Sequence, residues 1–545
     1  MTEDFAQRPD GIDPRLIAVE AAITSGDLGR ALELAEAALS EGLLHPMLLN
    51  LRALYAEDQG RFEDSLADLK RAHALAPSDV SILNAMGLCH MSLGQSEEAV
   101  VAFDQATTAG PGFAQAWNNK GVAQQAHGDL NGGRQSFETA ARLQPGFAEP
   151  LGHLALMAAR RGDREAARSA AGAALSLKPN LSEAVRAMAE VELAEGDLAG
   201  AERRLSALLI DPTLGPNGRY LSRGLLGDVL DRQGRYREAF EAYQGANQGQ
   251  RQAHADRFGR RLLTETVDDI HRAFQAAWPA REPPRARPSS ASPARRHIFL
   301  IGFMRSGTTL MEQVLASQPD AVSLEEKEAL VTGTTTYLNR PAEGMARLRD
   351  ADDRGLEPHR ADYWDRVRRF GVDPDGKVFV DKMPFNGMKL PLIHRLFPEA
   401  RIIFAVRDPR DVVFSCFRQR FAVTTHTYPL LTLPTAVRFY DAYMRSVMTY
   451  NRVLRPMMRT YRHEDLVEDF NGVVQALCAF LDLPWNEAMR DIGRRSRAGR
   501  VASPSAPQLL GGLSRTGLGQ WRRYERDLAP YYGALQPWLR QFGYE

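Results

Sequence analysis

Glycine recurs along the first half of this chain at a fixed interval, and that interval restricts the fold more than any other feature. Gly26, Gly60, Gly94, Gly128, Gly162 and Gly196 stand 34 residues apart, and Gly234 follows after 38. Ala31, Ala99, Ala167, Ala201 and Ala239 each lie five residues after one of these glycines, and Pro77, Pro111, Pro145 and Pro179 keep the same period. A unit this short cannot bury an apolar face alone, so successive units must stack. The pattern predicts two helices per unit. Gly allows a positive φ at the turn between them, Ala lets them cross closely, and Pro follows the end of the second. Segments such as Asp79 to Met91 and Glu97 to Ala106 carry the matching helical alternation of apolar and polar positions.

Over residues 10–246 this pattern resembles the tetratricopeptide repeat family. The resemblance implies an all-α solenoid whose concave face holds a protein or peptide, and Asn84, Asn118 and Asn119 supply polar positions for such a partner. An array that only braces a second domain, or that builds an oligomer, is the competing expectation.

Residues 247–296 read as a connection, with a helical stretch near 251–278 and then a Pro/Arg/Ser-rich tract that has too few apolar side chains for a core. A solvated linker explains its arginines better than a nucleic-acid arm. The 68 basic and 68 acidic residues cancel, so no global field calls for nucleic acid or an anionic membrane. No export signal or membrane-spanning apolar run is evident, and a cytoplasmic protein is expected. Cys89, Cys416 and Cys478 have neither disulfide nor metal spacing. Abundant Arg and Ala with only seven Lys point to a GC-rich bacterial source.

From His297 the chain reads as a buried strand, a tight loop and an amphipathic helix, a unit that aims backbone N–H groups at one point where a phosphate can sit. Gly302 and Gly307 have the separation of a nucleoside triphosphate loop, but Thr308 stands where that loop needs Lys. A single 5′-phosphosulfate needs less positive charge. Arg305-Ser306-Gly307-Thr308-Thr309-Leu310-Met311 resembles the corresponding loop of sulfotransferases that use 3′-phosphoadenosine-5′-phosphosulfate (PAPS), and is nearest in motif to the protein-tyrosine sulfotransferases.

That resemblance extends to Arg407 and Ser415, eight residues apart across a strand end and a helix, which match the family's 3′-phosphate-binding pair. Arg515, in the Gly-rich run ending at Trp521, is the candidate for a further charge on that phosphate. Ser505 fits another nucleotide contact, and His463 stands where the family has a Tyr beside adenine. Glu326, 21 residues after Arg305, has the offset of the family's carboxylate base, with Glu325 as rival. Lys382, in a Lys-x-Pro-Phe element, is expected beside the leaving oxygen together with Arg305. His394 and His426 are weaker candidates for the base.

The resemblance therefore implies a three-layer α/β domain of P-loop-like topology over residues 297–545. It would move a sulfonyl group from PAPS to a hydroxyl, protein tyrosine among the acceptors, without a metal. A non-catalytic repeat scaffold and a P-loop kinase are the alternatives. Since every donor contact named lies beyond Gly302, removal of residues 1–250 is expected to leave nucleotide binding intact.

Overall fold

The computed structural model describes residues 13–279, 292–493 and 512–545. They form two compact units, residues 1–191 and 192–545.

In the first unit, helices run in antiparallel pairs, among them Pro46–Asp58 with Phe62–Leu75, Val80–Ser92 with Ser96–Ala109, and Ala114–His127 with Leu130–Leu143. Every periodic glycine has a positive φ, from +70° at Gly60 to +94° at Gly128. The residue after each one donates its N–H to a carbonyl five positions back, as Asp27 does to Ala22 at 3.0 Å and Asp129 to Gln124 at 2.8 Å. This closure requires a left-handed residue, which Gly adopts without a Cβ penalty. Asp27, Asp129, Asp163 and Asp197 then cap the next helix with their carboxylates. One Gly-Asp pair thus ends one helix and starts another, a role for Asp that the period of Gly alone does not predict. The periodic alanines are buried where helices cross, and each periodic Pro lies just past a helix end.

The second unit contains a five-stranded parallel sheet in the order β2-β3-β1-β4-β5, with β1 Arg296–Gly302, β2 Ala321–Ser323, β3 Val378–Lys382, β4 Arg401–Val406 and β5 Met458–Arg462. Alternate residues of the central strands enter different layers. Ile298, Leu300, Val380 and Ile403 pack against the helices Thr308–Leu315 and Phe470–Leu481. Phe299, Ile301, Phe379 and Phe404 pack on the other face, against the helix Leu433–Leu454 among others. Such runs, apolar on both sides, are what a covered parallel sheet requires.

The stretch read as a connection contributes to this second layer. Helix Leu263–Ala277 inserts Val267, Ile270 and Phe274 into the core, each worth roughly 1.5–3 kcal/mol when buried. The helices Pro216–Arg232 and Tyr236–Ala253, which continue the repeat pattern, lie in the same compact unit as the sheet. Asn247 donates to the Phe417 carbonyl at 2.7 Å, and Asp228 pairs with Arg420 at 2.6 Å. Burial works against the Asp228 charge, but Arg420 and Arg418 outweigh it and hold this carboxyl below its ordinary range. No helix among the described residues is long and apolar enough to cross a membrane.

Candidate active site at the carboxyl edge of the sheet

The strand order reverses at β1, and the carboxyl ends of parallel strands at such a point form a natural ligand crevice. Register brings these ends together: Gly302 lies opposite Ala405, Leu300 opposite Lys382, and Val406 opposite Arg462. The next residues outward are the 303–307 loop, Arg407 and His463.

Within that loop Arg305 has φ +68° and Gly307 φ +92°. A non-glycine residue in the left-handed region costs roughly 1–2 kcal/mol, and the turn it makes helps gather backbone N–H groups into an anion-binding concavity. Gly307 is required twice over, because a Cβ there would lie 2.4 Å from His463 Nδ1. Thr308 and Thr309 are buried in the first turn of the following helix. Tyr461, on β5, secures the loop by donating from its hydroxyl to the Gly307 carbonyl at 3.2 Å.

Arg305 Nε donates to Ser415 Oγ at 3.1 Å, and Arg407 Nη1 donates to the Arg305 carbonyl at 3.2 Å. The first loop and the Arg407–Ser415 segment therefore meet, although 110 residues separate Arg305 from Ser415. Burial, together with the Arg407 and Arg418 charges, pulls the Arg305 guanidinium down to about 10. It remains a cation at neutral pH, and gathering like charges in a dry place favours an anion among them. Burial, then Arg407 and Arg305, lower His463 to about 3, so its ring is neutral. Ser306 Oγ, Arg407 Nε and His463 Nδ1 are buried without a hydrogen-bond partner among the described residues. Such atoms in a basic crevice fit a ligand rich in hydrogen-bonding oxygens.

The Gly-rich run is anchored by Asp411, whose carboxylate accepts from the N–H groups of Gly519 at 2.7 Å and Trp521 at 2.9 Å. Arg407 Nη2 donates to the Gly517 carbonyl. The run thus reaches Arg407 through its backbone, while the Arg515 side chain is exposed. Ser505 lies outside the described residues.

Toward β2 and β3, Lys382 Nζ donates to Glu326 Oε1 at 2.7 Å and lies 3.4 Å from Glu312 Oε2. Burial opposes the ammonium charge, but Glu312 and Glu326 overcome it and raise Lys382 above its ordinary value. Beside it, burial pushes Asp381 up to about 7, and this carboxyl accepts from Tyr363 at 2.8 Å and Asn386 at 3.1 Å. Glu325 turns the backbone with φ +45°. His426 stacks on Phe385 with ring centroids 5.5 Å apart, and His394 lies on the helix Leu390–Leu396. Glu312, Asp411 and Asp381 were not singled out from sequence.

Residues 297–487 match the sulfotransferase family, and residues 18–80 and 84–146 match the tetratricopeptide repeat. The chain joins tetratricopeptide repeats to a sulfotransferase-family domain. It is 24% identical over 261 residues to protein-tyrosine sulfotransferase 1 of Danio rerio, covering 46% of this chain and 72% of that protein. The human protein of the same name is 24% identical over 269 residues, covering 46% and 69%. This distant homology runs alongside 27% identity over 349 residues to an uncharacterized protein of Aquifex aeolicus (strain VF5), covering 61% of this chain and 43% of that relative's length. Among solved structures, a tetratricopeptide repeat protein from Parabacteroides merdae superposes with a TM-score of 0.36 at 18% identity, covering 43% of this chain and 91% of that one. The sulfotransferase domain thus sits on the parallel sheet, and its crevice contains the two basic segments described above.

Proposed function

We propose that the sulfotransferase domain transfers the sulfonyl group of PAPS to an acceptor hydroxyl. The observation that carries this reading is the meeting of Arg305 with Ser415 and of Arg407 with the Arg305 backbone. A donor with phosphate groups at both its 3′ and 5′ positions needs two anion sites in one crevice. Ser306, Gly307, Thr308 and Thr309 would hold the 5′-phosphosulfate, and Arg407 and Ser415 the 3′-phosphate, with Arg515 and Ser505 as further candidate contacts. His463, neutral and against Gly307, would border the nucleotide without adding charge.

In the transfer, the acceptor oxygen forms its bond to sulfur while the bond from sulfur to the bridging phosphate oxygen breaks. The acceptor proton passes to Glu326, and the electron pair of the broken bond remains on the phosphate oxygen, where Lys382 and Arg305 offset its charge. The products are a sulfate ester and adenosine 3′,5′-bisphosphate. A phenol such as tyrosine, with a pKa of about 10, suits a carboxylate acting as bond formation proceeds. The repeats support interaction with another protein, and a protein acceptor held there would be presented at a local concentration of about millimolar if its tether is short. Incubating the full chain with sulfonyl-labelled PAPS and a panel of tyrosyl peptides, phenols and sugars tests the reading. Matched yields of labelled ester and adenosine 3′,5′-bisphosphate are expected; no label on any acceptor would contradict it.

A further inference from the structure

Glu312 is a buried carboxylate to which the chemistry above assigns no task. It lies in the helix Thr308–Leu315, the helix that begins at the phosphate loop, and it is 1% exposed. Its Oε2 lies 3.4 Å from Lys382 Nζ, itself 1% exposed, and its Oε1 accepts the Ser323 hydroxyl at the end of β2. Ser323 Oγ in turn accepts the Glu325 N–H at 3.3 Å. Glu312 is thereby fixed from two sides. Glu326, the other carboxylate on Lys382, has a side chain 40% exposed.

The two carboxylates face different demands during transfer. Once Glu326 takes a proton it is neutral, and Lys382 loses that counter-charge at the moment negative charge grows on the leaving oxygen. A buried ammonium without a carboxylate partner sheds its proton. Glu312 is buried and anchored by Ser323, so it keeps its place beside Lys382.

Resting on the functional reading above, we propose that Glu312 is a positioning residue for sulfonyl transfer: it keeps Lys382 cationic and aimed when Glu326 turns to the acceptor. It also couples that cation to the donor site, because one short helix carries both Glu312 and Thr308–Thr309.

The charged groups facing Lys382 are Glu312, Glu326 and Glu325. With only seven lysines in the chain, the Lys382 ε-carbon signal can be assigned by its absence in Lys382→Arg and titrated by NMR in the full-length protein. In Glu312→Gln the Lys382 midpoint should fall by about one pH unit or more, the alkaline limb of the kcat profile should fall with it, and affinity for adenosine 3′,5′-bisphosphate should change by less than about threefold. Glu312→Asp, which keeps the charge, should recover most of the midpoint and guards against a folding defect in the first variant. An unchanged Lys382 midpoint would overturn the proposal, as would a lowered midpoint with an unmoved kcat profile. A wild-type chain that transferred nothing from PAPS would defeat the functional reading, and this role with it, whereas a normal wild type with an indifferent Glu312→Gln would defeat the positioning role alone.

Discussion

The Tyr524 hydroxyl donates a 2.6 Å hydrogen bond to Asp231 across 293 residues of sequence. Arg418 and Arg523 also approach the Asp231 carboxylate, at 3.9 and 3.5 Å. The helix Pro216–Arg232 thereby holds both the end of the helix that carries Ser415 and the segment that follows the Gly-rich run. Cutting the chain by its repeat pattern would sever these contacts.

Deletion of residues 1–191 should leave affinity for adenosine 3′,5′-bisphosphate within about threefold of the full chain. Deletion of residues 1–250 should abolish it, because the partners of Arg418, Arg420 and Phe417 are removed. This reverses the expectation drawn from the position of the donor motifs alone. Parallel calorimetry and thermal unfolding of both truncations decide the matter. Equal binding by the two proteins would show that the Asp228 and Asp231 contacts are dispensable.

Ser415→Ala removes a hydroxyl that the Arg305 guanidinium reaches, and a hydrogen bond to a charged group is worth about 1.5–3 kcal/mol. Affinity for adenosine 3′,5′-bisphosphate should fall by roughly 10- to 100-fold, and affinity for adenosine 5′-monophosphate much less. Titration of wild type and variant with both nucleotides checks this. A matching loss for the two ligands would detach Ser415 from the 3′-phosphate.

Glu326→Gln should lower kcat by about 10²-fold or more, the scale of a positioned acid or base, with donor affinity nearly unchanged. Lys382→Ala should lower kcat comparably. Should Glu325→Gln abolish turnover while Glu326→Gln retains it, the base moves by one residue.

Burial lowers His297 to about 3, well under its unfolded value near 6.5. The folded state then binds fewer protons than the unfolded state. The stability this group contributes is present above about pH 6.5 and is lost as pH falls from there toward 3. Its loss between pH 7 and pH 5 is about 2 kcal/mol. His297 packs against Trp364 with ring centroids 4.8 Å apart, so tryptophan fluorescence during urea unfolding reports on its surroundings. Over that interval wild type should lose about 2 kcal/mol more than His297→Phe; parallel losses would mean that His297 titrates normally.

The repeat was legible because its chemistry is local. A positive φ at Gly26 or Gly128 depends on residues within one turn, and it recurs at a spacing that chance does not produce. Lys382, Arg407 and the 302–310 loop were legible through their resemblance to sulfotransferase motifs, each placed at the end of an apolar strand run. Glu312, Asp411 and Asp231 gave no comparable signal. Their partners, Lys382, the Gly519 and Trp521 amides, and Tyr524, lie in other elements, and an isolated carboxylate in a helix has the same local pattern whether it is solvated or buried against a cation. The helix Leu263–Ala277 read as a connection because the Pro/Arg-rich tract follows it directly, whereas its membership in the core rests on contacts with distant strands.

Isothermal calorimetry of the full chain with adenosine 3′,5′-bisphosphate and, separately, with ATP tests the donor assignment most directly, each with and without Mg²⁺. On the proposed reading Arg407 and Ser415 would form a second anion site, while Thr308 occupies the position where a triphosphate loop needs Lys. The account predicts that adenosine 3′,5′-bisphosphate binds more tightly than ATP and equally well without Mg²⁺; tighter, Mg²⁺-dependent binding of ATP would contradict it.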